Sequence, residues 1–362
     1  MQHKFVRSGP KPLWLHLNGG AALMAAASET HNMYVASQTI LTQAMAGVQN
    51  YHNSLVKPFV RDMKIVAEYK GTKIITGKKW SGKNYVLVIP SLINGWQIFD
   101  IEKDHSFVAY LQKNNLTPLI IDWATPQHNM SMDDYVASHL LSLVQELLRN
   151  GYRIKTMVGY CMGATFIAAL HSLDPKLKEK IGKSVLIAPP WDFSYQTMDQ
   201  QMRIQGMAMQ THAMDDIIPT DFVQSLFWAI DPLQVLKKFR KFPDVKNPDR
   251  FVRVEDWLNE GRAVSKSVIQ TCLFDWYRDN KVMNGEWRVS ESIVDDKALP
   301  KNTMIVAGEK DNLVPMQSLK PLTAGRSLIT IDTGHIGLMA SDKAVDDCWK
   351  PIVNYIKSGK VT

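Results

Sequence analysis

Three short stretches of the chain carry residue types that can share acyl-transfer chemistry. Met157-Val158-Gly159-Tyr160-Cys161-Met162-Gly163-Ala164 sets a cysteine in a G-x-C-x-G frame. A thiol is a strong nucleophile toward carbonyl carbon once a neighbouring base takes its proton. Ala307-Gly308-Glu309-Lys310-Asp311-Asn312-Leu313-Val314-Pro315 supplies an acid, and Asp332-Thr333-Gly334-His335-Ile336-Gly337 supplies a histidine between glycines. The expected roles are Cys161 as nucleophile, His335 as its base and Asp311 as the group that orients the imidazole. Such a reaction also needs donors for a tetrahedral oxyanion. The N–H of Met162, just after the nucleophile, is one expected donor, and that of Ile93, in the loop Pro90-Ser91-Leu92-Ile93-Asn94, is the second.

The elements around these residues explain how they could meet. Tyr85 to Pro90, Thr117 to Asp122, Ile154 to Gly159, Ser184 to Ala188, Thr303 to Ala307 and Ser327 to Ile331 are short apolar runs rich in Val and Ile, as expected of buried strands. Helical patterns lie between the earlier ones, notably Asp133 to Asn150, with one apolar stripe from Tyr135 to Leu148. Continuous apolar strands alternating with helices predict a mostly parallel sheet covered on both faces. Cys161 then follows a strand and opens a helix, Ala164 to Leu173, where the helix dipole stabilises negative charge on sulfur. The flanking glycines suit a tight turn packed closely on its neighbours. Asp311 and His335 each follow a later strand. The chain order nucleophile, acid, histidine is that of α/β-hydrolases, and differs from both chymotrypsin and subtilisin.

Other candidates fit less well. Asp122 and Asp100 are alternative acids near strand ends, weighed against structural roles. His105, His128, His139, His171 and His212 lack the glycine-bracketed setting of His335, and Cys272 and Cys348 fall in helical patterns as small core residues.

The 362 residues are 45% hydrophobic and 21% charged, the composition of globular protein. The α/β alternation pauses after Pro190 and returns near Thr303. The expected organisation is an N-terminal helical segment over 1–62, an α/β core over 63–190 and 300–362, and a helical lid inserted at 191–299, over the carboxyl edge of the sheet. Lys64 to Lys79 reads as a β-hairpin, and Leu17 to Val56 as amphipathic helix lying on the body. The N-terminal stretch from Met1 has a basic start and an apolar run. Pro10, Pro12, His16 and Asn18 interrupt it, and it falls short of the roughly 20 apolar residues of a membrane helix, so neither an export signal nor a transmembrane segment is expected. Within the lid, Met198, Met202, Met207, Met209 and Met214 either line an apolar channel, form a partner surface or fill the lid core. Three isolated cysteines suit a reducing, cytoplasmic compartment and no zinc site. The net charge of +7 reads as dispersed along the chain, favouring no nucleic acid and compatible with an anionic thioester. No metal or bound cofactor is expected.

On these residues the chain resembles the short polyhydroxyalkanoate synthases of the α/β-hydrolase superfamily. The likeness runs from about Tyr85 to His335. It rests on Val88-Ile89-Pro90-Ser91-Leu92-Ile93-Asn94, Ile98-Phe99-Asp100-Ile101, Ser106 to Leu111, Ile121-Asp122-Trp123-Ala124-Thr125-Pro126, Met132-Asp133-Asp134-Tyr135 and the Cys161, Asp311 and His335 boxes. The resemblance implies transfer of a 3-hydroxyacyl group from coenzyme A to Cys161 and on to the hydroxyl end of a growing polyester. It implies that Asp311 orients His335 or helps activate the incoming hydroxyl. It also implies hydroxyacyl-CoA and the polyester chain as partners, a separate synthase subunit or a homodimer, and work at the surface of polyester granules. Ala164 stands where the family usually has a second glycine, Asn312 where it often has a histidine, and Pro90-Ser91 where it has a Pro-Pro pair. The alternative reading is a thioesterase or polyester depolymerase using the same triad, and a third is a non-catalytic granule protein.

Overall fold

The computed structural model describes residues 6–26 and 31–360. Its centre is an eight-stranded sheet: β1 Met63–Tyr69, β2 Thr72–Gly77, β3 Tyr85–Ile89, β4 Thr117–Asp122, β5 Ile154–Tyr160, β6 Lys183–Ile187, β7 Asn302–Gly308 and β8 Ser327–Ile331. Their order across the sheet is β1-β2-β4-β3-β5-β6-β7-β8. β3 to β8 are mutually parallel, and β2 alone runs against them, pairing antiparallel with both β1 and β4. Lys70 and Gly71, both at positive φ, make the tight β1–β2 turn as the hairpin reading expects.

Because side chains alternate across a strand, the two faces sort into two cores. Leu87, Ile89, Met157 and Ile305 face one, covered by the helical stretch Asp134–Arg149 and by α1, Met162–Leu173. Val86, Val88, Val158 and Val306 face the other, covered by Phe107–Lys113 and the C-terminal Lys350–Ser358. Helices therefore cover both faces, which is the expected fold class. The registers Ile89 to Gly159, Tyr160 to Ile187 and Gly308 to Ile331 bring the carboxyl ends of β3, β5, β7 and β8 to one edge.

Between β6 and β7 the chain is mainly helical: α2 Met198–Gln210, α3 Thr220–Ile230, α4 Gln234–Arg240, α5 Pro248–Asn259 and the Lys266–Arg278 stretch. The N-terminal region is described as Leu15–Gly19 in π form, Gly20–Ala26 and His31–Asn53. Residues 27–30 of the expected helix, and Met1 to Phe5 of the segment read against an export signal, lie outside the described residues. His31–Asn53 packs Val48 and Tyr51 against Val235 and Phe239 of α4, so this segment rests on the inserted helices. Arg7 fastens it, pairing with Asp256 of α5 at 2.7 Å with both side chains buried, and Tyr51 donates to the same carboxylate at 2.8 Å.

Candidate active site

Cys161 occupies the turn between β5 and α1 in a conformation that L-residues rarely adopt, φ 55° and ψ −128°. Two close approaches make its flanking glycines necessary. A Cβ on Gly163 would collide with the carbonyl oxygens of Ile89 and Pro90, and one on Gly159 with the backbone of Ala164. The strained turn is held because Cys161 N–H donates to Ile187 O at 2.8 Å and Ala164 N–H to Cys161 O at 2.8 Å. The sulfur is left half-buried at the N-terminal end of α1.

Asp311 and His335 reach the same edge from the loops after β7 and β8. Asp311 Oδ2 lies 2.7 Å from His335 Nδ1. Asp311 Oδ1 accepts the N–H groups of Leu313 at 2.9 Å and Val314 at 2.8 Å. Both oxygens of a carboxylate 3% exposed are thus committed, one of them to the imidazole ring. His335 also hydrogen-bonds Cys161. Burial of the ring disfavours its charge, but the negative charges at Asp311 and Cys161 and its hydrogen bonds to both outweigh that and push its pKa up to about 10. The ring therefore favours its protonated, imidazolium form at neutral pH.

Met162 and Ile93 line the same cavity as Cys161 and His335. The Met162 N–H belongs to the first turn of α1, where helical N–H groups point outward without intrahelical partners. Ile93 is held by its carbonyl, which accepts from Arg262 N–H at 2.9 Å. Its own N–H reaches only Ser91 Oγ at 3.4 Å, a weak contact that a stronger acceptor can replace.

Of the other candidates Cys272 lines the same cavity, while the rest lie elsewhere. Asp100 is held bidentately by Arg61 at 2.7 and 2.8 Å, and Asp122 faces Arg262 at 3.7 Å. His105 bonds Met339 O, His128 meets Asp216 and His139 meets Thr72. His171 is buried on α1 and His212 stacks near Phe274. Cys272 and Cys348 are buried, and burial raises both thiols, Cys272 to about 12. Of the five lid methionines, Met198, Met202 and Met209 are exposed while Met207 and Met214 pack against the core; the residues lining the Cys161 cavity include none of them.

That cavity, of about 150 Å³, is walled mainly by apolar side chains of the inserted segment, among them Phe193, Phe227, Leu273 and Trp276. Two of its features escaped the sequence. Tyr160, inside the cysteine box, stacks on His335 with ring centroids 5.0 Å apart and donates to His335 O at 3.2 Å, bracing the base. Burial, then the negative charges of Cys161 and Asp311, raise its phenol and keep it neutral. Lys11 and His16 of the N-terminal segment also line the cavity. No local pattern marks them, since the contact depends on where that segment docks. Among the described residues no cluster of His, Cys, Asp or Glu could hold a metal ion, and no helix is long and apolar enough to cross a membrane.

Comparison with known proteins agrees with this fold. The model of the α/β hydrolase fold family matches residues 105–342. The chain is 27% identical over 286 residues to a poly(3-hydroxyalkanoate) polymerase subunit PhaC of Haloferax mediterranei, covering 75% of this chain and 58% of that protein. It is 27% identical over 294 residues to the PhaC subunit of Synechocystis sp., covering 75% and 77%, and 24% identical over 276 residues to that of Allochromatium vinosum, covering 72% and 76%. The chain thus spans less than two thirds of the length of the Haloferax mediterranei relative it matches. Among solved structures it resembles a soluble variant of monoglyceride lipase from Saccharomyces cerevisiae, with TM-score 0.54 at 12% identity over 86% of this chain and 99% of that one. It also resembles an esterase from Thermogutta terrifontis, with TM-score 0.50 at 12% identity over 83% and 98%. At such identities the likeness is one of fold.

Proposed function

Given that the chain belongs to the α/β hydrolase fold family, we propose that it is an acyltransferase that polymerises 3-hydroxyacyl-CoA into polyhydroxyalkanoate through a thioester on Cys161. The observation that carries this reading is a cysteine, in place of the serine common in this fold, joined to His335 and Asp311 inside an apolar cavity. The polymerase subunits among its relatives supply the substrate class.

In the first half-reaction Cys161 Sγ attacks the thioester carbonyl. The oxyanion is held by the N–H groups of Met162 and Ile93, and coenzyme A leaves as its thiol, taking the proton from His335. This exchange of one thioester for another is nearly isoenergetic, so the acyl-enzyme persists. In the second half-reaction a hydroxyl attacks that acyl group, His335 takes its proton, an ester bond forms and the Cys161 sulfur is freed. Apolar walls from the inserted helices, acting as a lid over 191–299, disfavour water as the competing nucleophile. Asp311 orients His335 throughout, and no cofactor beyond the thioester is required.

The named relatives are subunits, which supports a partner subunit for this chain, and the proposed site of work is the cytoplasm, at the surface of the insoluble polyester. The test is to incubate the protein with 3-hydroxybutyryl-CoA, following thiol release and product together, beside Cys161→Ala. Thiol release with insoluble polyester, absent in the variant, is expected. Release giving only free hydroxy acid would instead mark a thioesterase.

A further inference from the structure

The Cys161 cavity shares a wall with a second, open cleft. Lys238, Glu255, Leu258 and Ile336 line both. The charged part of this wall is one ion pair, Lys238 Nζ to Glu255 Oε2 at 2.7 Å, with Glu255 buried. Beyond it the cleft, about 440 Å³, is bounded by Lys246, Asn247 and Arg250 on one side and by Gly337, Ser341 and Asp342, soon after His335, on the other.

Its lining carries three basic side chains, Lys238, Lys246 and Arg250, beside the carboxylates of Glu255 and Asp342. The 17 residues from Lys237 to Arg253, on α4, α5 and their connection, hold seven basic and two acidic side chains, a denser concentration of positive charge than the dispersed reading expects. Lys246 is exposed and has no carboxylate partner among the described residues. Arg250 bonds Glu102 and the exposed Asp342, each at 2.7 Å, so an anion could displace the latter. The N-terminal end of α5, capped by Asn247, opens at the same place and favours phosphate oxygens.

We propose that this cleft takes the phosphate-bearing nucleotide end of the acyl-CoA substrate, at Lys246, Arg250 and the α5 terminus, with the acyl arm crossing the Lys238–Glu255 wall to reach Cys161. The assignment rests on the thioester reading above and adds where the thioester is held. Lys246, exposed and in no ion pair among the described residues, is the cation whose change should disturb folding least.

The test is calorimetric titration of the full chain with free coenzyme A and, separately, with pantetheine, which lacks the nucleotide. Wild type is compared with Lys246→Glu and with Lys64→Glu, an exposed change of equal charge on strand β1. Coenzyme A should bind more tightly than pantetheine, and Lys246→Glu should weaken coenzyme A about tenfold while leaving pantetheine unchanged; Lys64→Glu should alter neither. Equal affinity for the two ligands, no binding of coenzyme A, an unaffected Lys246→Glu, or equal losses in both variants would each overturn the assignment. Binding needs no turnover, so the two ideas fail separately. A chain that binds coenzyme A in the cleft but never acylates Cys161 defeats the polymerase reading alone. One acylated equally well by acyl-pantetheine defeats the cleft alone.

Discussion

Asp311 Oδ2 stands 2.7 Å from His335 Nδ1 while the other oxygen of that carboxylate is occupied by two backbone N–H groups. On the proposed reading the acid holds the ring through Nδ1 and leaves Nε2 for Cys161. Asp311→Asn keeps the size and the loop contacts but presents an amide where the ring N–H needs an acceptor. Thiol release from hydroxyacyl-CoA should fall about 10²–10⁴-fold with the thermal midpoint little changed. Near-normal turnover would show that Asp311 is not the orienting group.

The pH dependence follows from His335. Its pKa is raised from 6.5 to about 10, against the effect of burial, by Asp311 and Cys161. The stability it contributes is therefore complete below about pH 6.5 and is lost as pH rises through about 10. Activity that depends on the imidazolium should show an alkaline limb near the same pH. Urea midpoints of wild type and His335→Gln should differ most at pH 6 and converge above pH 10. A gap that widens with alkalinity would reverse the sign and refute the ion-pair description.

Gly163 lies where a side chain would meet the carbonyl oxygens of Ile89 and Pro90, at the root of the loop that carries Ile93. Gly163→Ala should cost about 1–3 kcal/mol in denaturant unfolding through overpacking, and should lower activity further by shifting that loop. Gly206, with open space around it on α2, is the control. Gly206→Ala should leave activity unchanged and be neutral or slightly stabilising.

The buried Arg7–Asp256 pair joins the N-terminal segment to α5, with Arg7 donating also to the carbonyls of Ser54 and Val56. Arg7→Met should destabilise by about 3–5 kcal/mol because it strands the Asp256 charge. Arg7→Met combined with Asp256→Asn should cost less than the single change. A double variant as unstable as the sum of its parts would mean that the two residues act independently.

The sequence revealed the parts whose signals are local. Val- and Ile-rich runs marked the strands because parallel strands are buried on both faces, and each expected run corresponds to a strand within a residue or two of its ends. Cys161, Asp311 and His335 stood out because each follows a strand and two are bracketed by glycines. What stayed hidden depends on distant partners. Arg7 and Asp256 are 249 positions apart, so nothing near either predicts that the N-terminal segment docks on the inserted helices or lends Lys11 and His16 to the cavity. The bracing of His335 by Tyr160 likewise joins the end of β5 to the loop after β8, 175 residues apart.

On the polymerase reading Cys161 carries the acyl group. Intact-protein and peptide mass spectrometry after brief exposure to 3-hydroxybutyryl-CoA and acid quench tests this without intermediaries. A hydroxybutyryl adduct is expected on the peptide containing Cys161, released by neutral hydroxylamine and absent from Cys161→Ala. Turnover with the adduct on another residue, or turnover undiminished in Cys161→Ala, would contradict it.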